Sequence, residues 1–244
     1  MAKVDISSVA VVMAMRAEAA PLIASLGLVE ADDQPAQLPF RWYEGRHRGV
    51  SVIVAVNGVD PRYDVDGIGT NPAVLNSWLV IERRRPDVVV SAGTAGGFTS
   101  KGGEVGDLYL SSGDLVFHDH RIPIAGFSDY GVGHYPCADV DHLARRLDAK
   151  TGVVSTGNSL DAPDVDLDLM AVNDASLKDM EAAAVAWVCW LSGTPFFAVK
   201  VIADLVDGPA DTVEEFKLNL TMATGRLSAA LVELVPLLAE HGLD

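Results

Sequence analysis

Three carboxylates in this 244-residue chain each stand at one end of a strongly apolar run. Glu18 follows Val9–Met15, Asp204 follows Phe196–Ala203, and Glu181 precedes an apolar run with helical character. A carboxyl group pressed against apolar neighbours has a raised pKa and can serve as a general acid, which suits Asp204. An ionised carboxylate instead offers two acceptor oxygens that can hold a pair of ligand hydroxyls, which suits Glu181.

Purely structural interpretations of the same residues stay open at this point. Asp204 can form a turn, Glu181 can cap the helix that follows it, and Glu18 can be a solvated residue of a first helical turn. Gly93–Gly97 lets the backbone approach a ligand closely, and a tight strand-to-helix turn explains it equally well. This segment lacks the GxGxxG spacing, and Gly67–Pro72 has proline in place of the third glycine, so neither favours a dinucleotide site.

Composition and the other reactive residues exclude several classes of function. The formal net charge of -16, from 34 acidic and 18 basic side chains, repels phosphate backbones and anionic lipids, so no nucleic acid and no membrane partner is expected. His118 and His120 share one face of a strand, but no further cluster completes a metal site, so no metal and no other cofactor is expected. Cys137 and Cys189 form no CxxC pair, which favours free thiols in a reducing, cytoplasmic location. A small neutral or cationic ligand fits this charge best.

The elements that must position these residues alternate along the chain. Runs rich in Val and Ile predict strands buried on both faces, at Val9–Met15, Val50–Val56, Val88–Ala92, Leu108–Leu110 leading to Leu115–Phe117, Val153–Val154 and Phe196–Ala203. Helices are predicted over Ala17–Leu26, with Pro21 in its first turn, Ala73–Arg84, Val140–Leu147, Glu181–Leu191 and Thr212–Leu238, the last opened by a capping box of Thr212 and Glu215. The alternation predicts one three-layer α/β domain over residues 1–244, with its ligand site at the carboxyl ends of the strands.

Several motifs occur in the order found in the purine nucleoside phosphorylase superfamily. They are Ala14–Glu18, Pro86–Val88 running into Gly93–Phe98, Gly106–Asp107, Phe117–Asp119, Asp179–Ala186 and Val199–Asp204. Over about residues 9–220 the chain resembles a 5′-methylthioadenosine/S-adenosylhomocysteine nucleosidase, and the plant branch most, through Phe117–Pro123 and Asp204–Gly208. The resemblance implies a three-layer sandwich with a central mixed, twisted sheet flanked by helices, an adenine nucleoside as substrate, a part in methionine salvage, and a homodimer.

The resemblance also implies a role for each carboxylate. Asp204 is then the acid that protonates adenine N7 and holds the exocyclic amine, Glu181 binds the ribose hydroxyls, and Glu18 orients and deprotonates the attacking water. Inverting glycosidases use two carboxyls on opposite sides of the bond in the same way. The other substrate-binding residues that the resemblance implies are Met15, Thr94, Ala95, Gly96, Leu160, Met180, Lys200 and Val213.

Some positions depart from the bacterial pattern and concern the 5′ side of the substrate. Lys200 stands where an arginine is common, and Val213 stands where many bacterial members have an aromatic residue, so we expect an open 5′ pocket that Arg121–Tyr135 helps to shape. The preferred 5′ group stays open. Two other functions also stay open, a phosphate-dependent phosphorylase and a nucleoside-binding protein without catalysis. Glu18 favours water over phosphate, because a carboxylate beside the anomeric carbon repels phosphate.

Overall fold

The computed structural model describes residues 5–243, which form a mixed β-sheet with helices on both faces. The strands are β1 (Ser8–Met13), β2 (Val29–Glu30), β3 (Arg41–His47), β4 (Val50–Val56), β5 (Val59–Asp60), β6 (Val65–Asp66), β7 (Val88–Gly97), β8 (Leu108–Ser111), β9 (Asp114–Phe117), β10 (Tyr135–Pro136), β11 (Lys150–Thr156), β12 (Ala175–Asp179) and β13 (Phe196–Leu205). The helices are α1 (Arg16–Leu26), α2 (Thr70–Arg84), α3 (Phe127–Val132), α4 (Asp141–Arg146), α5 (Asp164–Val172), α6 (Ala182–Ser192) and α7 (Thr212–His241), with a 3₁₀ turn at Thr99–Lys101.

The described part of the main sheet has 11 strands, in the order β10-β9-β11-β8-β13-β7-β1-β4-β3-β2, with β12 paired to both β11 and β7. Its centre is parallel, through the pairs β4–β1, β1–β7 and β7–β13, whereas β3–β4 and β8–β13 are antiparallel. Because β12 joins β7 to β11, the strands β7, β13, β8, β11 and β12 close into a ring. The predicted α/β class with a central mixed sheet is therefore confirmed.

Alternate residues of the central strands enter two separate hydrophobic clusters, one on each face of the sheet. Val9 and Val11 of β1 pack with α1, α4 and α7, whereas Ala10 and Val12 pack with α2 and α6. A strand covered by helices on both faces needs apolar side chains at every position, which explains the continuous Val and Ile runs. The three layers predicted from those runs are present.

The last helix, α7, is the one helix among residues 5–243 that is long and apolar enough to cross a bilayer by length and composition. In this fold α7 packs on β13 and α1, and 56% of its most apolar 18-residue stretch is buried. Ala223, Leu227, Leu231 and Leu234 lie in the hydrophobic cluster beneath it. A helix with one stripe buried in this way belongs to a layer of the core.

Several predicted ends and caps differ from the observed ones. The strands β7, β11 and β13 are longer than the apolar runs that predict them. Main-chain hydrogen bonds to the neighbouring strands continue beyond those runs, because such bonds do not depend on side-chain polarity. The predicted capping box of α7 is wrong, since Asp211 is the N-cap and accepts from the Glu214 N–H at 3.1 Å. Glu215 instead accepts from the Leu205 N–H at 2.8 Å and ties α7 to the end of β13. Pro21 lies inside α1, beyond its first turn.

Sequence patterning does not predict β3, β12, α3 or α5. The strand β3 carries polar residues and is held by antiparallel pairing with β4, with only Trp42 fully buried along its length. The strand β12 is short, yet it contacts the ends of both β7 and β11. The partners of β12 are distant in sequence, so local composition has no signal for it. The strand β3 pairs with the adjacent β4, and its polar composition is what hides it from patterning.

Candidate active site

A cavity of about 140 Å³ opens where β1, β7, β12 and β13 end. This is the edge at which ligands bind in open α/β sheets. Its wall is mostly apolar and contains the three carboxyl groups singled out in the sequence. The lining residues are Ala14, Met15, Glu18, Ile68, Thr94, Ala95, Gly96, Leu160, Lys178, Asp179, Met180, Glu181, Asp204 and Phe216.

Glu18 lies in the first turn of α1, directly after β1, with 3% of its surface exposed. The Thr94 N–H and hydroxyl both donate to its Oε1 at 2.7 Å, and the Met15 N–H donates to its Oε2 at 3.3 Å. Burial raises the pKa of Glu18 above its usual value, and the hydrogen bonds from Thr94 oppose that rise. Glu18 is thus a buried, oriented carboxylate rather than a solvated helix residue, as a general base requires.

Glu181 immediately precedes α6 and its Oε1 accepts a hydrogen bond from the Gly69 N–H at 2.8 Å. Its side chain does not cap α6; Asp179 does, by accepting from the Ala182 N–H at 2.9 Å. Gly69 has a φ of 99°, a conformation that favours glycine and lets its N–H reach the carboxylate. Burial raises the pKa of Glu181, the Asp179 carboxylate adds to this rise, and Lys200 opposes it. The helix-cap interpretation is excluded, and a carboxylate in the cavity wall remains.

A buried ion pair lies beneath these carboxylates. Lys200 Nζ lies 2.7 Å from Asp179 Oδ2, and the two side chains are 1% and 0% exposed. Asp179 also accepts from the Thr156 hydroxyl at 2.5 Å. Burial alone would lower the pKa of Lys200, but the Asp179 and Glu181 carboxylates outweigh it and hold that pKa above its usual value. Lys200 is therefore the counter-charge of the acidic groups rather than a residue of the cavity surface.

Asp204 lies within β13 at a β-bulge and not in a turn. Its pairing with β7 shifts in register between Ile202 and Asp204, which places Asp204 opposite Gly96. The residue is 4% exposed, and burial raises the pKa of its carboxyl to about 6, with Lys178 opposing this rise and Glu215 adding to it. A carboxyl with a pKa near the working pH is suited to give up a proton during catalysis.

Most of the residues predicted from the sequence meet at this cavity, namely Met15, Glu18, Thr94, Ala95, Gly96, Leu160, Met180, Glu181 and Asp204. Two do not line it, Lys200 and Val213. Val213 is 41% exposed in the first turn of α7, and Phe216 lines the cavity instead. A helix rises 1.5 Å per residue, so Phe216 lies about 4.5 Å along the axis from Val213, and it is Phe216 that reaches the cavity wall. The wall on this side is thus aromatic, contrary to the open wall expected from Val213.

Sequence reasoning missed five lining residues: Ala14, Ile68, Lys178, Asp179 and Phe216. Lys178 and Asp179 had a usable signal, because two adjacent charges directly before an apolar helix need partners if they are buried. Ile68 lies in the loop between β6 and α2, and nothing in its local sequence marks it. Phe216 was missed because the resemblance assigned this part of the wall to Val213, although α7 begins at Thr212 as predicted.

The segment Arg121–Tyr135 was expected beside the 5′ pocket, but none of its residues lines the cavity above. It contains α3 and helps to line a second cavity of about 620 Å³ beside α2 and α6. Tyr130 lines this second cavity and is exposed, and Ile124 and Phe127 of the same segment are exposed as well. Trp190 is also exposed, and its ring lies 6.2 Å from that of Tyr135, another lining residue. The segment therefore builds a separate apolar surface.

The histidines considered as metal ligands have other contacts. His118 is fully buried, and its Nδ1 lies 3.0 Å from the Ser155 hydroxyl. The ring of His120 stacks on Phe117 with centroids 4.1 Å apart. In the part of the chain that the structure describes, no group of three or more His, Cys, Asp or Glu side chains is placed to hold a metal ion.

Comparison with known proteins gives consistent matches over nearly the whole chain. The sequence model of the phosphorylase superfamily matches residues 8–236. A 5′-methylthioadenosine nucleosidase of Arabidopsis thaliana is 44% identical over 94% of this chain and 86% of that protein. A 5′-methylthioadenosine/S-adenosylhomocysteine nucleosidase of the same plant is 37% identical over 96% of this chain and 92% of that protein. The apo structure of the A. thaliana 5′-methylthioadenosine nucleosidase superposes with a TM-score of 0.93 at 43% identity, covering 96% of both chains.

The chain has the fold of the phosphorylase superfamily, whose sequence model it matches. Its strands close into a ring, and three carboxyls of an acid–base site lie in the cavity at the strand ends. Within that class, the chain belongs to the 5′-methylthioadenosine/S-adenosylhomocysteine nucleosidases, in their plant-type branch. The resemblance inferred from its motifs is confirmed.

Proposed function

We propose that this protein hydrolyses the N-glycosidic bond of 5′-methylthioadenosine, with S-adenosylhomocysteine as a second candidate substrate. The products are adenine and the 5′-thioribose. The observation that carries the proposal is the convergence of Glu18, Glu181 and Asp204 on one cavity in a chain of the nucleosidase family. Binding alone does not need three carboxyls at one cavity, whereas acid–base hydrolysis does use such groups.

Asp204 supplies the proton that makes adenine a good leaving group. The O–H bond of its carboxyl breaks, an N–H bond forms at purine N7, and the C1′–N9 electron pair leaves with neutral adenine. With a pKa raised to about 6, more of the carboxyl is protonated near neutral pH than in an ordinary aspartate. Proton transfer of this kind contributes about 10²–10⁴-fold to rate.

Glu18 and Glu181 act on the ribosyl side of the bond. As adenine leaves, C1′ gains positive charge, and Glu18 takes a proton from the water that attacks C1′. Glu181 accepts hydrogen bonds from the ribose hydroxyls. The reaction needs Asp204 protonated while Glu18 is ionised. Burial raises the pKa of both carboxyls, and the two hydrogen bonds that Thr94 donates to Glu18 oppose that rise and favour its ionised form.

Adenine release in phosphate-free buffer tests this function. We expect the purified protein to convert 5′-methylthioadenosine to adenine and 5-methylthioribose, with no change when phosphate is added. A phosphorylase would need phosphate and would form the ribose 1-phosphate, and a binding protein would release no adenine. Glu18→Gln is the matched control, since the amide keeps the shape of the side chain but cannot accept the proton from water. It should bind the nucleoside and release adenine much more slowly.

We infer that two copies of the chain associate through the apolar surface around the second cavity. Ile124, Phe127, Tyr130 and Trp190 are each more than half exposed there, and an apolar patch of this kind marks an interaction site. Light scattering should give the mass of a dimer, and Trp190→Glu should shift it toward the monomer. Leu218→Glu is the control, because Leu218 is 81% exposed on α7, away from this surface.

We also propose a cytoplasmic location and a part in methionine salvage. Cys137 and Cys189 are free thiols, which is compatible with a reducing compartment. The thioribose product keeps the sulfur, so an enzyme that recovers this sulfur must act on it next. Cell fractionation tests the location, and accumulation of 5′-methylthioadenosine in cells that lack the protein tests the pathway.

A further inference from the structure

Lys178 is a buried charge in the cavity wall that the steps above do not use. It lies on β12 with 5% of its surface exposed and lines the same cavity as Asp204. Its ammonium group donates to the carbonyl oxygens of Ser159 at 2.7 Å and Leu160 at 2.9 Å. A buried ammonium is costly unless it is paired and hydrogen-bonded, so these partners explain how the fold accepts it there.

The two carbonyls belong to the loop between β11 and α5, which has neither helical nor strand structure around Ser159 and Leu160. Leu160 forms part of the cavity wall although it is 40% exposed. A loop of this kind has no regular backbone ladder to hold it, so a side chain that binds two consecutive carbonyls helps to fix where its main chain lies, together with the hydrogen bonds of the adjacent Asn158 to Asp119 and Thr70.

Lys178 of β12 and Asp204 of β13 are both register partners of Gly96 on β7, so the two charged residues flank the same point of the cavity wall. Asp204 faces two charged groups, Lys178 from β12 and Glu215 from α7. The β7 strand packs on it through Gly96, which carries no charge. The carboxylates that face Lys178 in turn are Asp204, Asp179, Asp161 and Asp166. Burial raises the pKa of Asp204, and the Lys178 charge opposes that rise.

We propose that Lys178 is a positioning residue for the reaction proposed above, which anchors the Ser159–Leu160 main chain as a wall of the cavity and keeps a fixed positive charge beside the Asp204 carboxyl. The inference rests on Asp204 acting as the general acid. When the Asp204 O–H bond breaks and the purine nitrogen takes the proton, a carboxylate is left in the cavity. The ammonium group stabilises this carboxylate and so favours proton transfer.

Two substitutions separate the anchoring role from the charge. Lys178→Gln keeps amide N–H donors for the carbonyls and removes the charge, and Lys178→Arg keeps the charge and changes the donor geometry. The readouts are kcat and KM for 5′-methylthioadenosine and the dependence of kcat/KM on pH, where the acid form of Asp204 produces an alkaline limb. Lys217→Gln, a lysine on α7 that is 63% exposed, is the matched control for loss of one positive charge.

We expect Lys178→Gln to move the alkaline limb up by about one pH unit, the scale of one neighbouring charge, and to lower the plateau of kcat by up to about tenfold. Lys178→Arg should leave the alkaline limb of the kcat/KM profile at the same pH. It should raise KM several-fold, roughly the effect of weakening one hydrogen bond to the loop carbonyls. Lys217→Gln should change neither. An alkaline limb unmoved in a folded Lys178→Gln variant overturns the proposal.

If Lys178→Gln does not fold, Lys178→Arg provides the test instead. This variant keeps the positive charge, so a shift of the alkaline limb of its kcat/KM profile would also contradict a role based on charge. The wild-type protein is assayed first. If it releases no adenine, the proposed function itself fails, and that result is distinct from a normal wild-type enzyme whose Lys178 variants keep an unchanged pH profile.

Discussion

Gly96 of β7 and Asp204 of β13 lie opposite each other so closely that a Cβ atom on Gly96 would be 2.9 Å from Asp204 Oδ2. The same Cβ would lie 2.8 Å from a methyl group of Val206. The bulge in β13 and the missing side chain on β7 together give the Asp204 carboxyl its place in the cavity wall. Function here depends on the backbone as much as on the carboxyl.

Gly96→Ala should displace the Asp204 carboxyl and lower turnover by about 10²-fold, because a shift of about 1 Å in a reacting group costs that much. Steady-state hydrolysis of 5′-methylthioadenosine measures it. Gly225→Ala is the control, since no atom lies within 4 Å of a Cβ at this position of α7. It should leave turnover unchanged and raise stability by about 0.5–1 kcal/mol. Normal turnover in Gly96→Ala would show that the close contact does not matter.

Asp204 should also determine the alkaline side of the pH profile. Its pKa is raised to about 6, and the protonated form is the active one, so kcat/KM should fall as pH rises through that value. Asp204→Asn keeps the shape of the side chain but cannot deliver a proton, so turnover should fall by about 10²–10⁴-fold with the alkaline limb abolished. Circular dichroism checks that the variant is folded. A variant with near wild-type turnover would remove Asp204 from the mechanism.

Lys200→Met should destabilise the fold in a pH-dependent way. It leaves the Asp179 carboxylate buried without its cation, and breaking a buried pair costs about 3–5 kcal/mol. The pKa values of Glu18 and Glu181 are already raised by burial, and loss of Lys200 raises them further. Groups whose pKa is higher in the folded state contribute stability at low pH and lose it as pH rises. The loss should therefore be larger at pH 8 than at pH 5.

Urea unfolding of Lys200→Met at the two pH values measures this effect. Lys150→Met is the matched control, because Lys150 pairs with Asp107 at 2.6 Å but its side chain is 46% exposed. An exposed pair contributes about 0–1 kcal/mol, so this variant should lose little stability at either pH. An equal loss at pH 5 and pH 8 in Lys200→Met would mean that the buried carboxylates do not depend on Lys200.

Phe216, rather than Val213, should contact the 5′ substituent. Removing its ring exposes roughly 50 Å² of buried apolar surface, and at about 25 cal/mol per Å² this is roughly a tenfold rise in KM for 5′-methylthioadenosine. Phe216→Ala is compared with Val213→Ala, which should change KM less than about twofold because its side chain lies outside the cavity wall. Adenosine, which lacks the methylthio group, should be affected less by Phe216→Ala. Equal effects on the two substrates would place Phe216 elsewhere.

The sequence by itself determined the layers of the fold and indicated three carboxylates that the structure brings to one cavity. Continuous Val and Ile runs require helices on both faces of a sheet, and this requirement does not depend on which strands pair. Glu18, Glu181 and Asp204 were recognisable because each carboxylate borders an apolar run. Burying a charge there costs free energy, so its presence indicates a function or a specific partner. Family motifs then assigned a role to each of the three, and these roles stay predictions.

Tertiary structure alone decided which residues surround those carboxyls. The strand β12, the bulge before Asp204 and the contact between Lys200 and Asp179 all arise from pairing between segments far apart in the chain. Local sequence has no information on such pairing. The adjacent charges Lys178 and Asp179 indicate that partners are needed, but only the pairing of β12 with β7 and β11 shows that they lie at the cavity. The physical reason is that side-chain polarity determines whether a residue is buried, whereas strand register and helix starts determine which buried residues meet.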